Sequence, residues 1–186
     1  MNLAYSLIVS LVWFLSIYFN VVFLLALLSQ KEELFKSPKL KNNQGLPKVS
    51  IIVPAYNEED TIEQNITSLN RIDYPKDRLE IIIVNDGSRD NTSKIINGLK
   101  GKNIIFIDNK NNKGKAACLN QGIEQSSGEF VACMDADSEV QSDILKKTVP
   151  YFSNKKIGAV TVTVEVKDAK NFLQKIIAVE YIIGLS

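Results

Sequence analysis

Two acidic side chains follow a short apolar run in the second half of the chain. Residues 130–134 are apolar, and Asp135 and Asp137 come directly after them with Ala136 between. An apolar run of this length predicts a buried strand. Ligands bind outside the carboxyl ends of parallel strands, and two carboxylates so close together suit a hard cation that also holds a phosphate. The alternative interpretation is a helix cap formed by Asp137 or Ser138.

The composition of the 186 residues limits the chemistry of such a site. The chain contains no histidine, which excludes His-dependent nucleophilic catalysis and His-ligated metals, so oxygen atoms would have to hold any metal. The formal net charge of +1 gives no indication of a nucleic-acid partner. Cys118 and Cys133 match no metal or redox pattern, and we predict that both are reduced, packed core residues, as is typical of a cytosolic protein.

A long uncharged segment opens the chain. Residues 3–28 contain no charged side chain, and as a helix they would be about 39 Å long, enough to cross a hydrocarbon core of ~30 Å. The segment is too long for a secretory signal peptide and lacks the basic start and the cleavage site of one. Five lysines follow within residues 31–48, so the positive-inside rule predicts that the C-terminal part is cytoplasmic.

This topology divides the chain into three predicted parts of a single-pass cell-membrane protein. They are a transmembrane helix over residues 1–30, a cytoplasmic basic linker over 31–47 and a cytoplasmic domain over 48–186. Asn65 and Asn91 each begin an N-glycosylation sequon, but a cytoplasmic location makes both chance matches.

Strands alternate with helices through the predicted domain. Short apolar, β-branched runs predict four strands, at residues 49–53, 79–84, 104–107 and 130–134. The segments between them have apolar residues at helical spacing, as over 61–69, where Asp60 or Thr61 is the predicted cap. The alternation predicts a right-handed, parallel α/β sheet.

The C-terminal part of the chain gives three further predictions. Residues 144–149 predict a helix that Pro150 ends or kinks. Alternating residues over 158–166 predict a half-buried strand, and the apolar segment 172–183 predicts a helix.

Polar residues follow three of the predicted strands. They are Tyr56, Asn57 and Glu58 after the first strand, Asp86 after the second, and Asp135 and Asp137 after the fourth. Because the carboxyl ends of parallel strands share one edge of the sheet, these residues should line one crevice. Lys113 and Lys115 come just before a predicted helix N-terminus, where phosphate binds readily. Acids, lysines and a divalent cation together predict a nucleoside diphosphate ligand.

Two common nucleotide-binding motifs are excluded. A P-loop requires Gly at position 109 and Ser or Thr after Lys115, but Asn109 and Ala116 are there. A Gly-X-Gly-X-X-Gly turn should follow the first strand, but residues 54–57 contain no glycine. The chain is therefore neither a Walker-type ATPase nor a standard dinucleotide-binding domain.

Four segments carry the polar residues of the predicted crevice. They are Val53-Pro54-Ala55-Tyr56-Asn57-Glu58, Val84-Asn85-Asp86-Gly87-Ser88, Asn112-Lys113-Gly114-Lys115-Ala116-Ala117-Cys118-Leu119-Asn120 and Asp135-Ala136-Asp137-Ser138. In this order and spacing they resemble the family 2 glycosyltransferases with a GT-A fold. The resemblance covers roughly residues 48–140 and implies a Rossmann-like, mainly parallel α/β domain that binds a nucleotide sugar. The membrane helix ahead of the domain makes the chain similar to polysaccharide synthases.

The resemblance also implies roles for individual residues. Pro54, Tyr56 and Glu58 would line the nucleotide pocket, and Asp86 would contact the uracil. Asp135 would lie near the ribose and the pyrophosphate.

The resemblance further implies a metal ion. Asp137 would ligate Mg²⁺ or Mn²⁺, which would act as a Lewis acid on the departing UDP. Lys113 and Lys115 would either contact the nucleotide or be solvated loop charges.

The general base of the implied reaction is missing from the pattern. An acceptor hydroxyl would attack and invert the anomeric carbon, which requires a base, normally a carboxylate. The family carries that base in a Thr-Glu-Asp-type motif, and processive members also carry Gln-X-X-Arg-Trp, but neither motif occurs in this sequence. We therefore expect a truncated, donor-binding part of the domain that cannot transfer sugar alone, with the base encoded beyond Ser186.

The whole enzyme is expected to use a UDP-sugar, with UDP-N-acetylglucosamine and UDP-glucose as the leading candidates. It would add the sugar to a growing polysaccharide at the cytoplasmic membrane face. Two alternatives stay open. One is a polyprenyl-phosphate sugar transferase with a lipid-linked acceptor, and the other is a non-catalytic nucleotide-sugar-binding subunit that pairs with a second chain supplying the missing half.

Overall fold

A computed structural model describes residues 3–34, 45–99, 101, 103–162 and 171. The chain divides into two compact units, residues 1–38 and 39–186. The predicted helix at 172–183 and residues 163–166 of the predicted strand lie outside the described residues.

The first unit contains one long helix, α1 (Leu3–Leu34). Its central part, Ala4–Ala26, has 23 residues with a mean hydropathy of 2.3, and all of their side chains are exposed. At 1.5 Å per residue this part is about 35 Å long, so by length and composition it is able to cross a membrane. The predicted apolar helix is confirmed, and it continues beyond the uncharged segment to Leu34.

The second unit is built on a parallel sheet of four strands in the order β3-β2-β1-β4. The strands are β1 (Val49–Ala55), β2 (Leu79–Asn85), β3 (Ile104–Asp108) and β4 (Phe130–Cys133). The helices between and after them are α2 (Ile62–Asn70), α3 (Thr92–Leu99), α4 (Lys115–Gln125) and α5 (Ile144–Thr148). The predicted parallel α/β architecture is confirmed.

Both faces of the central strands are covered. Ile51, Val53, Ile81 and Ile83 pack in a core cluster with residues of α2 and α3, whereas Ile52, Ile82 and Val84 pack with Cys118 of α4. Strands buried on both faces read as continuous apolar runs, which is why the sequence pattern located β1 and β2 well. Each fully buried isoleucine contributes ~1.5–3 kcal/mol to folding.

Close packing of α4 on the sheet depends on Gly122. A Cβ atom at this position would lie 2.4 Å from Cγ2 of Ile52, well inside van der Waals contact, so a larger residue would force α4 or Ile52 to shift. The missing side chain therefore lets α4 approach β1. This approach brings the N-terminus of α4 to the carboxyl edge of the sheet.

Strand β4 differs from its prediction as a buried strand. Its side chains alternate between half-buried and exposed, with Val131 and Cys133 exposed; among the described strands β4 pairs with β1 alone and forms an edge, and α4 packs mainly on β1 and β2. The prediction that both cysteines are packed in the core is therefore wrong for Cys133, whereas Cys118 is buried. Both thiols are free, as predicted.

The segments after β4 follow their predictions in part. Helix α5 ends at Thr148, and a 3-10 helix (Val149–Ser153) follows, with Pro150 near its start. The predicted effect of Pro150 is thus confirmed, because proline cannot donate the backbone bond that would continue α5. Residues 158–162, the described part of the predicted strand, adopt no regular secondary structure, so that part of the prediction is wrong.

Candidate functional site

A cavity of about 330 Å³ opens at the carboxyl ends of β1, β2 and β4. Its lining residues are Pro54, Ala55, Tyr56, Glu58, Asp86, Asn112, Gly114, Lys115, Asp135, Ala136 and Asp137. Seven of the eight residues predicted from the sequence are therefore brought together in one place. The eighth, Lys113, is not among the lining residues, although its neighbours on both sides are.

The Asp86 carboxylate is held by the backbone of the loop before α4. Asp86 is 3% exposed, and its Oδ1 and Oδ2 atoms accept hydrogen bonds from the backbone N–H groups of Lys113 at 2.8 Å and Gly114 at 2.9 Å. Lys113 thus contributes its backbone to the site. The charge of Asp86 sets the position of this loop at the cavity wall.

Glycines allow the two loops to meet. Gly87 has a φ of +71°, and a Cβ there would lie 2.8 Å from the carbonyl carbon of Asn111. Gly114 has a φ of +88° directly before the first residue of α4. Both positions favour glycine because residues with a side chain rarely adopt a positive φ, and the φ of +88° and ψ of +155° at Gly114 are open essentially to glycine alone.

Cys118 lies in the first turns of α4 and is fully buried. Burial, a hydrogen bond to Asp86 and the charge of that carboxylate raise the pKa of the Cys118 thiol to about 11, against smaller lowering effects of Asn109 and Lys113. The thiol is therefore neutral at physiological pH, and it adds a weak donor beneath Asp86.

Hydrogen bonds join the loop after β1 to the loop after β2. Asn57 has a φ of +55°; its backbone N–H donates to Ser88 Oγ, and its Oδ1 accepts from the N–H of Arg89, both at 2.9 Å. The N–H of Glu58 donates to Thr92 Oγ1 at 2.8 Å. These bonds hold the backbone on either side of Tyr56 and Glu58 at the cavity.

Glu58 also begins helix α2. Its backbone oxygen accepts hydrogen bonds from the N–H groups of Thr61 and Ile62 at 3.1 and 2.9 Å. Thr61 occupies the predicted N-cap position, but its side chain makes no capping bond, and its hydroxyl instead donates to Glu58 Oε2 at 2.7 Å. The Glu58 carboxylate is thereby oriented at the rim of the cavity, where Tyr56 is 42% exposed.

Lys115 and Asp135 form an ion pair across the cavity. The distance from Lys115 Nζ to Asp135 Oδ1 is 2.5 Å, and both side chains are more than half exposed. The hydrogen bond to Asp135 raises the pKa of Lys115 against the opposing effect of burial, and the charges of Asp135 and Asp137 act in the same direction. Exposed pairs of this kind contribute little to stability, so Lys115 is free to exchange partners when an anion enters.

Asp135 and Asp137 lie on either side of a buried residue. Ala136 is 4% exposed and belongs to the core cluster, whereas both aspartates are exposed and line the cavity. The alternation turns both carboxylates toward the cavity. Within the described part of the chain, no group of three His, Cys, Asp or Glu side chains is placed to hold a metal by itself. A cation here would need ligands from its substrate and from water.

The fold and the cavity define the class of this protein. A parallel α/β sheet whose carboxyl edge carries acidic side chains, a lysine and a helix N-terminus is the arrangement in which such sheets bind nucleotides. Residues 50–182 match the family described as "Glycosyl transferase family 2". The chain belongs to this family of enzymes, and the resemblance found in the sequence is confirmed.

Curated relatives include synthases of one polysaccharide. The chain is 40% identical over 148 residues to the poly-beta-1,6-N-acetyl-D-glucosamine synthase of Staphylococcus aureus strain MSSA476. The matched region covers 78% of this chain and 35% of that relative. The synthase of the same name from Staphylococcus epidermidis is 36% identical over 171 residues, or 90% of this chain and 41% of the relative. The chain thus spans well under half the length of these relatives.

Solved structures confirm the GT-A-like fold. A mannosyltransferase from Pyrobaculum calidifontis, in complex with GDP-Man and Mn²⁺, matches with a TM-score of 0.62 and 28% identity over 78% of this chain and 44% of that one. Staphylococcus aureus TarS in complex with UDP-GlcNAc matches with a TM-score of 0.54 and 28% identity over 67% of this chain and 38% of that one.

Proposed function

We propose that this chain is the donor-binding part of an inverting glycosyltransferase that uses a UDP-sugar to extend a polysaccharide at the cytoplasmic face of the cell membrane. UDP-N-acetylglucosamine is the first candidate for the donor and UDP-glucose the second. The observation that carries the proposal is the cavity at the carboxyl edge of the sheet, where residues from three strand ends meet. The names of the matching synthases favour a polysaccharide acceptor over a lipid-linked one.

The proposed donor site has two halves. Pro54, Tyr56 and Asp86 would bind the nucleoside, with the Asp86 carboxylate directed at the uracil. Lys115 and Asp135 would lie at the ribose and the diphosphate, where the lysine would exchange Asp135 for a phosphate oxygen. The N-terminus of α4, which begins at Lys115, adds a partial positive charge at the same place.

Mg²⁺ or Mn²⁺ fits the donor set of this cavity. Asp137 would be its ligand from the protein, with Asp135 beside it, and diphosphate oxygens and water would complete the shell, as is usual for Mg²⁺ bound with nucleotides. The bound cation would stabilise the charge that develops on the departing diphosphate. The structural relative from Pyrobaculum calidifontis, which was solved with Mn²⁺, supports this proposal.

The general base is proposed to lie in a part of the protein that this sequence does not include. Among the described acids at the cavity, Asp86 is engaged by backbone N–H groups and Glu58 by Thr61, whereas Asp135 is assigned to the ribose and the diphosphate. Asp137 is assigned to the cation. The matching synthases extend well beyond the aligned region, which leaves room there for a carboxylate facing the acceptor.

Equilibrium binding of UDP tests the proposal. The full chain, solubilised in detergent, should bind UDP more tightly with Mn²⁺ than with EDTA, and Asp137→Asn should remove this gain. Asp77→Asn is the matched control, since Asp77 is an exposed acid in the 3-10 helix (Lys76–Arg78) that precedes β2, away from the strands' carboxyl ends. Equal affinity of the unsubstituted chain for UDP in Mn²⁺ and in EDTA would contradict the metal site.

A further inference from the structure

A buried amide in α2 contacts the loop that carries the two aspartates. Asn65 is 0% exposed and lies on the apolar side of the helix with Ile62, Ile66 and Leu69. Its Nδ2 atom donates hydrogen bonds to the backbone oxygens of Asp135 at 3.0 Å and Ser138 at 2.9 Å. One side chain thus holds two carbonyl groups of a different element.

These two carbonyl groups lie at the ends of a four-residue turn. The N–H of Ser138 donates to the backbone oxygen of Asp135 at 3.2 Å and closes the turn. Ser68, which lies three residues after Asn65 on the same side of α2, accepts a hydrogen bond at its Oγ from the N–H of Val140 at 3.2 Å. Helix α2 therefore holds the turn at its start, its end and just beyond.

Burying the Asn65 amide costs folding free energy, and the two hydrogen bonds to the turn offset this cost. Its Oδ1 atom is buried and has no hydrogen-bond partner in the described structure. Reversing the amide would place Oδ1 against two carbonyl oxygens, so the observed orientation is the favourable one. A leucine would fill a position on this apolar side without burying an unsatisfied oxygen. The benefit of the amide lies in the two bonds to the turn.

We infer that Asn65, with the help of Ser68, is a positioning residue that holds the backbone of the turn so that the carboxylates of Asp135 and Asp137 face the cavity. The inference rests on the proposed function, because it assigns this turn to the cation and the diphosphate. Both carboxylates are exposed, and their described contacts are the exposed ion pair of Asp135 with Lys115 and a hydrogen bond from Ser138 Oγ to Asp137 within the turn itself, so the backbone beneath them sets their direction. Ala136, buried between them, is the second point of attachment.

UDP binding with and without Mn²⁺ separates positioning from general stability. In Asn65→Leu, the gain in UDP affinity from Mn²⁺ should fall by about tenfold or more, as when groups that orient metal ligands are removed. The affinity in EDTA should stay close to that of the unsubstituted chain. Ile96→Ala is the control, because Ile96 of α3 is fully buried and makes no bond to the turn. This substitution should destabilise the core, but the gain in UDP affinity from Mn²⁺ should persist.

Hydrogen exchange of the turn gives a readout that needs no ligand. The amides of Ser138 and Val140 should exchange faster in Asn65→Leu than in Ile96→Ala. Ser68→Ala is a milder substitution that can be used if Asn65→Leu does not fold. It should accelerate hydrogen exchange of the Val140 amide in particular, because that N–H donates to Ser68 Oγ. A chain that binds UDP with a normal gain from Mn²⁺ despite Asn65→Leu overturns the inference, as does unchanged exchange at both amides. If the unsubstituted chain shows no gain, the proposed metal site fails, and exchange alone decides the role of Asn65.

Discussion

Asp86 illustrates how a single acidic side chain organises the cavity through the backbone of a neighbouring loop. Each of its carboxylate oxygens accepts one backbone N–H, from Lys113 and Gly114. In Asp86→Asn one of these N–H groups would face an NH₂ group and lose its acceptor. We expect the free energy of unfolding to fall by ~1–3 kcal/mol, the usual cost of a buried unsatisfied donor.

The same substitution should weaken UDP binding in EDTA, because the loop before α4 forms one wall of the cavity. Thermal unfolding by circular dichroism and UDP titration of the full chain measure the two effects. Asp77→Asn should leave both unchanged. A stable Asp86→Asn chain with normal UDP affinity would contradict the role given to this carboxylate.

The residues found from the sequence are those whose chemistry is visible in their type. Asp135, Asp137 and Lys115 are charged groups near predicted strand or helix ends, so their positions could be predicted. Asn57 was predicted to line the crevice, but it instead joins the loops after β1 and β2 and is not among the lining residues. Asn65 was missed as a part of the site, because an amide in a helix can also cap, turn or be solvated. A signal for Asn65 does exist: it lies three residues after Ile62, within the apolar stripe of a predicted helix.

At the scale of elements, Glu80 joins three segments at the other end of the sheet. Its carboxylate accepts hydrogen bonds from Ser50 Oγ of β1 at 2.6 Å and from the N–H and hydroxyl of Ser127, in the turn before β4, at 2.9 and 2.8 Å. Burial raises the pKa of Glu80, but these bonds and the charge of Lys48 outweigh it and lower the pKa to about 2. Protonation therefore weakens the junction.

The lowered pKa of Glu80 predicts a pH-dependent contribution to stability. A group with a depressed pKa stabilises the folded state above its unfolded pKa, and this contribution is lost as the pH falls through the folded value. The junction should therefore contribute fully above about pH 5 and weaken between roughly pH 4.5 and 2. Glu80→Gln should lower the free energy of unfolding by ~1–3 kcal/mol at pH 7.

The difference between Glu80→Gln and the unsubstituted chain should shrink toward pH 2. Urea unfolding of the detergent-solubilised chain at several pH values, followed by circular dichroism, measures it. Glu124→Gln in α4 is the control, since this acid is exposed. A difference that stays constant from pH 7 to pH 2.5 would show that the carboxylate charge does not stabilise the junction.

The accuracy of the predicted elements depends on their position in the sheet. The central strands β1 and β2 are buried on both faces and appear as apolar runs that match the observed bounds within two residues. Strand β4 is also an apolar run but lies at an edge of the described sheet, and neither its pairing nor its coverage by a helix is visible in a local pattern. The alternation of residues over 158–166 also predicted a strand from a local pattern alone. Residues 158–162 form no strand, because strand formation depends on pairing and packing that a local pattern does not show.

At the scale of the whole molecule, the sequence identified the family and the fold but not which sugar is transferred. The cavity at the sheet edge is lined by residues that would contact the nucleotide and its diphosphate. Walls that select a sugar or an acceptor would be built by further parts of the domain, and this chain covers 35–41% of the synthases it matches.

The two cysteines allow the proposed membrane topology to be tested in the native chain. Cys133 is exposed and Cys118 is buried, so only Cys133 should react with a maleimide under native conditions. Helix α1 should keep the chain in the membrane fraction after an alkaline wash, and deletion of residues 1–30 should release it. With the domain in the cytoplasm, a membrane-impermeant maleimide should label Cys133 in lysed cells but leave it unlabelled in intact ones. The chain with Cys133→Ser should stay unlabelled in both, and labelling of Cys133 in intact cells would place the domain outside.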